Sequence, residues 1–193
     1  MNLLPIVEGH GDVEVVPIIL RRILDLTEIY QSSILRPFRV SRYRIVKEGE
    51  VEKTIRAVLI DRVSVDGIII VLDADFDCPV ELGAKLRERV GNITQLPISV
   101  VIAKREIESW FLGSKESIRG VRGIRNDASS PVLPEEEDAK GKLRYNKIKG
   151  IRYIPLDDNP AFASQFDILS ASKRCPSLGK LIRDIKIMNK IAK

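Results

Sequence analysis

The chain has 193 residues, of which 44% are hydrophobic and 31% charged, with a net charge of +5; that composition describes a domain with a real core and not a disordered segment. Two cysteines (Cys78 and Cys175) and one histidine (His10) exclude a disulfide framework, a zinc site and a Cys–His catalytic pair. The longest apolar run, Ile68–Leu72, is far short of the ~20 residues a membrane-spanning helix needs, and Met1-Asn2-Leu3-Leu4-Pro5 lacks the basic start of a signal peptide, so the expectation is a cytoplasmic protein, away from membranes, with reduced thiols.

Leu3–Glu8 reads as a short buried strand ending at Gly9-His10-Gly11. Apolar residues at 15, 16, 19, 20, 23, 26 and 29 then form one broad helical face over Val13–Ile29, with Asp12 as its natural N-cap. Pro17 predicts that this helix begins late or is distorted. Arg39–Val46 is rich in β-formers and reads as a strand. Glu50–Arg62 follows as a helix, with Val51, Ile55, Val58 and Leu59 on one stripe closed by Arg62. Ile68–Leu72 is the unbroken apolar run of a strand covered on both faces, and it ends in Asp73-Ala74-Asp75-Phe76-Asp77. Val80–Val90 reads as a helix and Ile98–Ala103 as a second covered strand, ending in Lys104-Arg105-Glu106-Ile107-Glu108-Ser109-Trp110.

Strand–helix alternation of this kind predicts an α/β protein with a parallel, doubly wound sheet flanked by helices. The expected organisation is an α/β domain over residues 1–112 and a basic loop and helical extension over 113–193, packed on the same domain. Residues 120–138 read as an exposed loop. Pro160–Ser172, with Phe162, Phe166 and Leu169 on one face, and Ser177–Ile191 read as closing helices. Charge divides along the same boundary: residues 1–112 hold 15 Lys+Arg against 17 Asp+Glu, and residues 113–193 hold 17 against 10. A basic segment beside an acidic one suggests a polyanion partner next to a cation site.

Three candidate strands end in carboxylates: Glu8 with Asp12 one turn later, then Asp73, Asp75 and Asp77, then Glu106 and Glu108. Ligands of open α/β sheets bind beyond the carboxyl ends of the strands. Asp73 and Asp75 are two apart, so extended backbone would point them the same way, and Glu106 and Glu108 likewise. Carboxylates gathered at one edge repel by roughly 1–4 kcal/mol per close pair, which cations would relieve. An all-oxygen donor set favours Mg²⁺ or Mn²⁺. Each residue has a plainer role too: Asp12 as a cap, Asp-x-Asp as turn chemistry, the glutamates as a helix start, and Lys104 as surface or as a cation for a substrate phosphate.

Ile6-Val7-Glu8-Gly9 with Asp12, and Val71-Leu72-Asp73-Ala74-Asp75 on a later strand, resemble the Toprim domain of topoisomerases, bacterial primases, small RNA maturases and overcoming-lysogenization-defect nucleases. Glu106-Ile107-Glu108-Ser109-Trp110-Phe111 is similar to the last of these branches. The tail, with Asp158-Asn159-Pro160-Ala161-Phe162, Phe166-Asp167 and Cys175-Pro176-Ser177-Leu178, resembles the domain of unknown function 4276 family over nearly the whole chain. The resemblance implies a Toprim-like, Rossmann-like fold and Mg²⁺-dependent phosphodiester hydrolysis of DNA or RNA. Asp73 and Asp75 would hold one cation, and Glu8, Asp12 and Glu106 or Glu108 a second. Glu8 would alternatively act as general acid or base, with Asp77 a further ligand and Lys104 assisting catalysis.

Arg119, Arg122, Arg125, Lys142, Arg144, Lys147 and Lys149 are the candidates for gripping a nucleic-acid backbone. The chain carries neither the ATPase domain of full overcoming-lysogenization-defect nucleases nor a topoisomerase's tyrosine domain. The rival from another class is a non-catalytic nucleic-acid-binding or regulatory module that works with a separately encoded ATPase or phage-defence partner. Phosphoryl transfer on a receiver-like or dehalogenase-like scaffold is a weaker rival, because it needs an aspartate where this chain has Glu8.

Overall fold

The computed structural model describes residues 1–61 and 64–191. The closing charge expected at Arg62 lies outside the described residues. Five parallel strands form one sheet in the order β2-β1-β4-β5, with β3 pairing β1 further along: β1 is Asn2–Val7, β2 Ser33–Ile34, β3 Phe38–Arg39, β4 Gly67–Asp73 and β5 Ile98–Ala103. The α/β, Rossmann-like architecture expected from the alternation is the one observed. Helix α1 (Asp12–Leu26) lies on one face; α2 (Arg42–Val46), α3 (Glu50–Asp61) and α4 (Pro79–Val90) lie on the other.

Pro5 sits inside β1, where a missing N–H would normally break a ladder. Here β1 pairs β2 only at Asn2 and Leu3, and β3 only at Ile6 and Val7. Pro5 falls in the gap between the two partners and pairs only with Ile69 of β4. The expected strand over Arg39–Val46 is therefore corrected. Only Phe38–Arg39 pairs, and Arg42–Val46 turns into α2, burying Ile45.

Helix α1 starts at Asp12 and runs through Pro17, with Gly11 as its N-cap. Asp12 does not cap the helix as expected; its Oδ2 accepts the N–H of Gly9 at 2.9 Å. Beyond α5 (Ser109–Leu112) the chain forms α6 (Ala139–Tyr145), α7 (Pro155–Gln165), α8 (Ile168–Ser172) and α9 (Pro176–Ile191). The single helix expected over Pro160–Ser172 is two, because Phe166 leaves helical backbone and Asp167 caps α8 by accepting the Ser170 N–H. Phe162 and Phe166 are buried, but Leu169 is 51% exposed, so the three do not share a buried face. Residues 120–138 are also more than an exposed loop: Ile124, Ala128 and Glu135 are buried.

The core has two layers, one on each face of the sheet. Leu4, Ile6, Ile68, Ile70, Leu72, Val100 and Ile102 face α2–α4. Leu3, Val7, Ile69, Val71, Val101 and Ala103 face α1 and the C-terminal helices, in one cluster that also holds Phe162, Leu181 and Ile185. The 113–193 segment thus covers one face of the sheet instead of hanging from it. Each large apolar side chain buried there contributes about 1.5–3 kcal/mol. Among the described residues no helix is long and apolar enough to cross a membrane.

Candidate metal centre

Register decides what meets at the strand ends. Val7 lies beside Val71, and Asp73 beside Ala103, so Glu8 and the residues after Asp73 and Ala103 leave the sheet on the same edge. The ladder persists one step further, with Ala74 N–H donating to Ala103 O at 2.8 Å and Asp75 N–H to Arg105 O at 3.0 Å. Asp75 and Arg105 reach this with φ of 51° and 61°, the left-handed region that costs a non-glycine residue roughly 1–2 kcal/mol.

That turn overrides the parity expected for Asp73 and Asp75. Asp73 points inward, its Oδ1 accepting the Ile107 N–H at 2.8 Å. Asp75 and Asp77 stay more than half exposed and lie against Arg42, at 3.4 Å and 2.5 Å. Arg42 also donates to the carbonyls of Asp73 and Ala74, at 3.0 Å and 2.9 Å. Asp77 thus belongs to the rim that Arg42 braces and not to the inward-facing group. Arg42 was invisible as a site residue because its segment reads as strand.

Glu8, Asp12 and Asp73, each partly buried, and the buried Glu108 form the inward-facing group. Burial raises the Glu8 carboxyl to about 7, and Asp12 and Asp75 push it the same way. Burial also holds Asp73 well above the usual carboxylate range, and Glu108, Asp12 and Glu8 add to this. Asp12 and Glu108 are raised by burial as well. Glu8 Oε2 and Glu108 Oε2 are buried with no hydrogen-bond partner. A Cβ on Gly9 would meet Asp12 Oδ2 at 2.7 Å, so any larger residue there would push the Asp12 carboxylate aside.

Lys140, at the start of α6, supplies a cation the sequence did not reveal. Its backbone N–H donates to Glu106 Oε1 at 2.7 Å, and its Nζ lies 2.7 Å from Glu106 Oε2 and 3.5 Å from Glu108 Oε1. Burial alone would lower its pKa, but Glu108, Glu106 and Asp73 raise it, so it stays charged. Only its distance along the chain hid it; the signal available was a lysine among the basic residues of 140–149. Asn159 donates to Glu108 Oε1 at 3.0 Å and accepts from the Tyr153 hydroxyl at 2.7 Å. Glu108 thus faces Asp73, while both oxygens of Glu106 are taken up by Lys140. Trp110 and Phe111 are fully buried just behind them, Trp110 donating to Ser177 Oγ at 2.7 Å.

The basic candidates divide. Lys147 is buried, its ammonium 2.6 Å from Asp158, which leaves it no face for a phosphate. Arg122 spends its guanidinium on the same Asp158, at 2.9 Å. Arg125 pairs with Asp127 and lies over the Tyr145 ring. Arg119 is exposed while its Nε donates to Ala128 O. Lys142 pairs with Glu137 at 3.4 Å, and Arg144 and Lys149 are exposed. Lys104 stands at the end of β5, ion-paired with Glu136, and His10 is exposed in its loop.

Among the described residues, no group of three or more acidic, histidine or cysteine side chains is placed to hold a metal ion. A Mg²⁺ ion that keeps several waters commonly takes only one or two carboxylates. Glu8 and Glu108 each keep one oxygen without a partner, and oxygen is the donor type that Mg²⁺ and Mn²⁺ take. A family model described as a domain of unknown function (DUF4276) matches residues 7–186. Neither a curated protein nor a solved structure matches the chain.

Proposed function

Starting from a chain that belongs to this domain-of-unknown-function family, we propose that it is a Mg²⁺- or Mn²⁺-dependent nuclease hydrolysing phosphodiester bonds in DNA or RNA on a Toprim-like scaffold. One observation carries the reading: Glu8, Asp12 and Asp73, each partly buried, and the buried Glu108 meet at one sheet edge closely enough to raise the Glu8 and Asp73 pKa values, and two of their oxygens are left without partners. Such crowding is a standing cost in a folded protein, and it clusters where function needs it. The plainer roles account for Asp75 and Asp77 as turn residues, but not for Glu8 or Glu108.

Asp12, Asp73 and Glu108 would hold the cation or cations, which when bound stabilise charge on the attacking and leaving oxygens of an in-line displacement. Glu106 is committed at both oxygens to Lys140, so it positions the lysine instead of binding metal. Lys140 stays protonated and presents positive charge toward Asp73 and Glu108, where a scissile phosphate would sit. Glu8, titrating near 7, is poised to take a proton from an attacking water at Oε2 in the physiological range. Arg42 holds the Asp73–Asp77 turn in shape from outside.

The test is divalent-dependent cleavage of plasmid and single-stranded substrates, with Asp73→Asn as the control. We expect activity with Mg²⁺ or Mn²⁺ that Asp73→Asn removes, and a melting temperature that rises with millimolar Mg²⁺ only in the wild type. Metal-independent cleavage, or an Mg²⁺ shift retained by Asp73→Asn, would overturn it. Binding of nucleic acid without turnover would favour the regulatory module.

A further inference from the structure

Strand β5 is the free edge of the sheet, and a cleft of about 520 Å³ runs along it between α4 and α9. Val100 and Ile102 of β5 line it, with Val80 and Leu133, which are 74% and 62% exposed. Around this apolar lining stand five cations: Arg87 from α4, Lys104 from the end of β5, Arg174 just before α9, and Lys180 and Arg183 within α9. Glu135 and Glu136 are the two carboxylates among the lining residues. Glu135 is turned onto the start of α9, accepting from the backbone and hydroxyl of Ser177, and Glu136 is spent on Lys104. Lys180 pairs with Asp184, and Arg174 lies 3.9 Å from Glu116. Arg87 and Arg183 have no carboxylate partner among the described residues.

The cleft ends close to the strand-end carboxylates. On the other side of Lys104 and Glu136, their chain neighbours Arg105 and Glu137 line a shallow mouth with Asp75, Phe76 and Glu106. The ridge between the two is the Lys104–Glu136 pair, tied down by Arg105 donating to Glu136 O at 3.0 Å. Phe76 at the mouth is 99% exposed, an unusual place for a phenylalanine unless something stacks on it.

Resting on the phosphodiester reading above, we propose that this cleft is the track for a single-stranded arm of the substrate. Its phosphates lie against Arg87 and Arg183 and cross the ridge by exchanging Glu136 for a phosphate on Lys104. Bases rest on the Val80, Leu133 and Ile102 surface and on Phe76. Excess positive charge around an apolar floor is the combination that single-strand binders use. The cleft's volume is that of a small-ligand pocket, which admits one strand and not a duplex. The main nucleic-acid surface thereby moves from the basic candidates of 119–149, where Arg122 and Lys147 are held by Asp158, to the cations of α4 and α9.

The experiment is fluorescence anisotropy with short labelled oligonucleotides in EDTA across a salt series: single-stranded DNA, single-stranded RNA, and the DNA duplex. The proteins are wild type, Arg87→Glu/Arg183→Glu, and Arg144→Glu/Lys149→Glu, each checked for folding by circular dichroism. We expect tighter binding of single strands than duplex. The cleft variant should lose about tenfold or more in affinity, and its log–log salt slope should flatten by roughly 1.4, the value for two lost phosphate contacts. The DNA and RNA arms identify which strand fits. Equal binding by wild type and cleft variant, duplex preference, or a loss confined to Arg144→Glu/Lys149→Glu would overturn the track. Hydrolysis of bis(p-nitrophenyl) phosphate with Mn²⁺ is measured alongside, because that small diester needs no cleft. Its retention in the cleft variant shows that the loss is one of strand binding, and its absence in wild type counts against the catalytic reading alone.

Discussion

Replacing Glu8 with glutamine should stabilise the metal-free protein at neutral pH while removing its activity. The Glu8 carboxyl ordinarily titrates near 4.5 and is raised to about 7, first by burial and then by Asp12 and Asp75. The folded state therefore keeps a proton that the unfolded chain has released. Its stabilising contribution is complete below about pH 4.5 and is lost as pH rises through 7. Holding that proton corresponds to roughly 3 kcal/mol at 1.36 kcal/mol per pH unit. Because Glu8 is only partly buried, solvent screening reduces the cost of ionising it to about 1–2 kcal/mol. Glutamine keeps the shape and never ionises. At about 2–4 °C per kcal/mol for a chain of this size, its melting temperature at pH 8 in EDTA should exceed the wild type's by about 2–8 °C. The gain should shrink steadily as pH falls below 7 and be small by pH 5, vanishing below about pH 4.5 where the folded and unfolded chains both keep the proton. Differential scanning calorimetry at pH 5, 6, 7 and 8 reads this directly. A variant equal to or below wild type at pH 8, or a difference independent of pH, would refute the crowding argument at its root.

Lys140→Met should lower the melting temperature in EDTA, because Glu106 and Glu108 lose the cation 2.7 Å and 3.5 Å away; millimolar Mg²⁺ should restore much of the loss, which paired melts check. Asp158→Ala strips the buried Lys147 ammonium of its partner and frees Arg122, so it should cost about 3–5 kcal/mol, read as a fall in the urea midpoint at an unchanged slope. Gly9→Ala should displace the Asp12 carboxylate from its 2.9 Å bond and weaken Mn²⁺ binding in isothermal titration, with less than 2 kcal/mol lost in stability, about the value of the broken bond.

The sheet was legible because apolar runs covered on both faces have no other stable reading, and Ile68–Leu72 and Ile98–Ala103 both became central-layer strands. Parallel crossovers then bring their carboxyl ends to one edge, so Glu8, Asp73 and Glu108 could be grouped from spacing and chain order alone. Chain order could not show how each strand end turns. Asp75 leaves extended backbone at φ 51°, which turns it to Arg42 while Asp73 points inward. Charge is the other thing that spacing hides. Arg122, Lys147 and Lys140 look alike in a basic stretch, yet tertiary packing buries Lys147 on Asp158, pairs Arg122 with the same carboxylate, and delivers Lys140 to Glu106 and Glu108. A local pattern reports which face of an element is apolar, but the partner of a long cationic side chain is set by whatever the fold brings within a few ångströms of its tip.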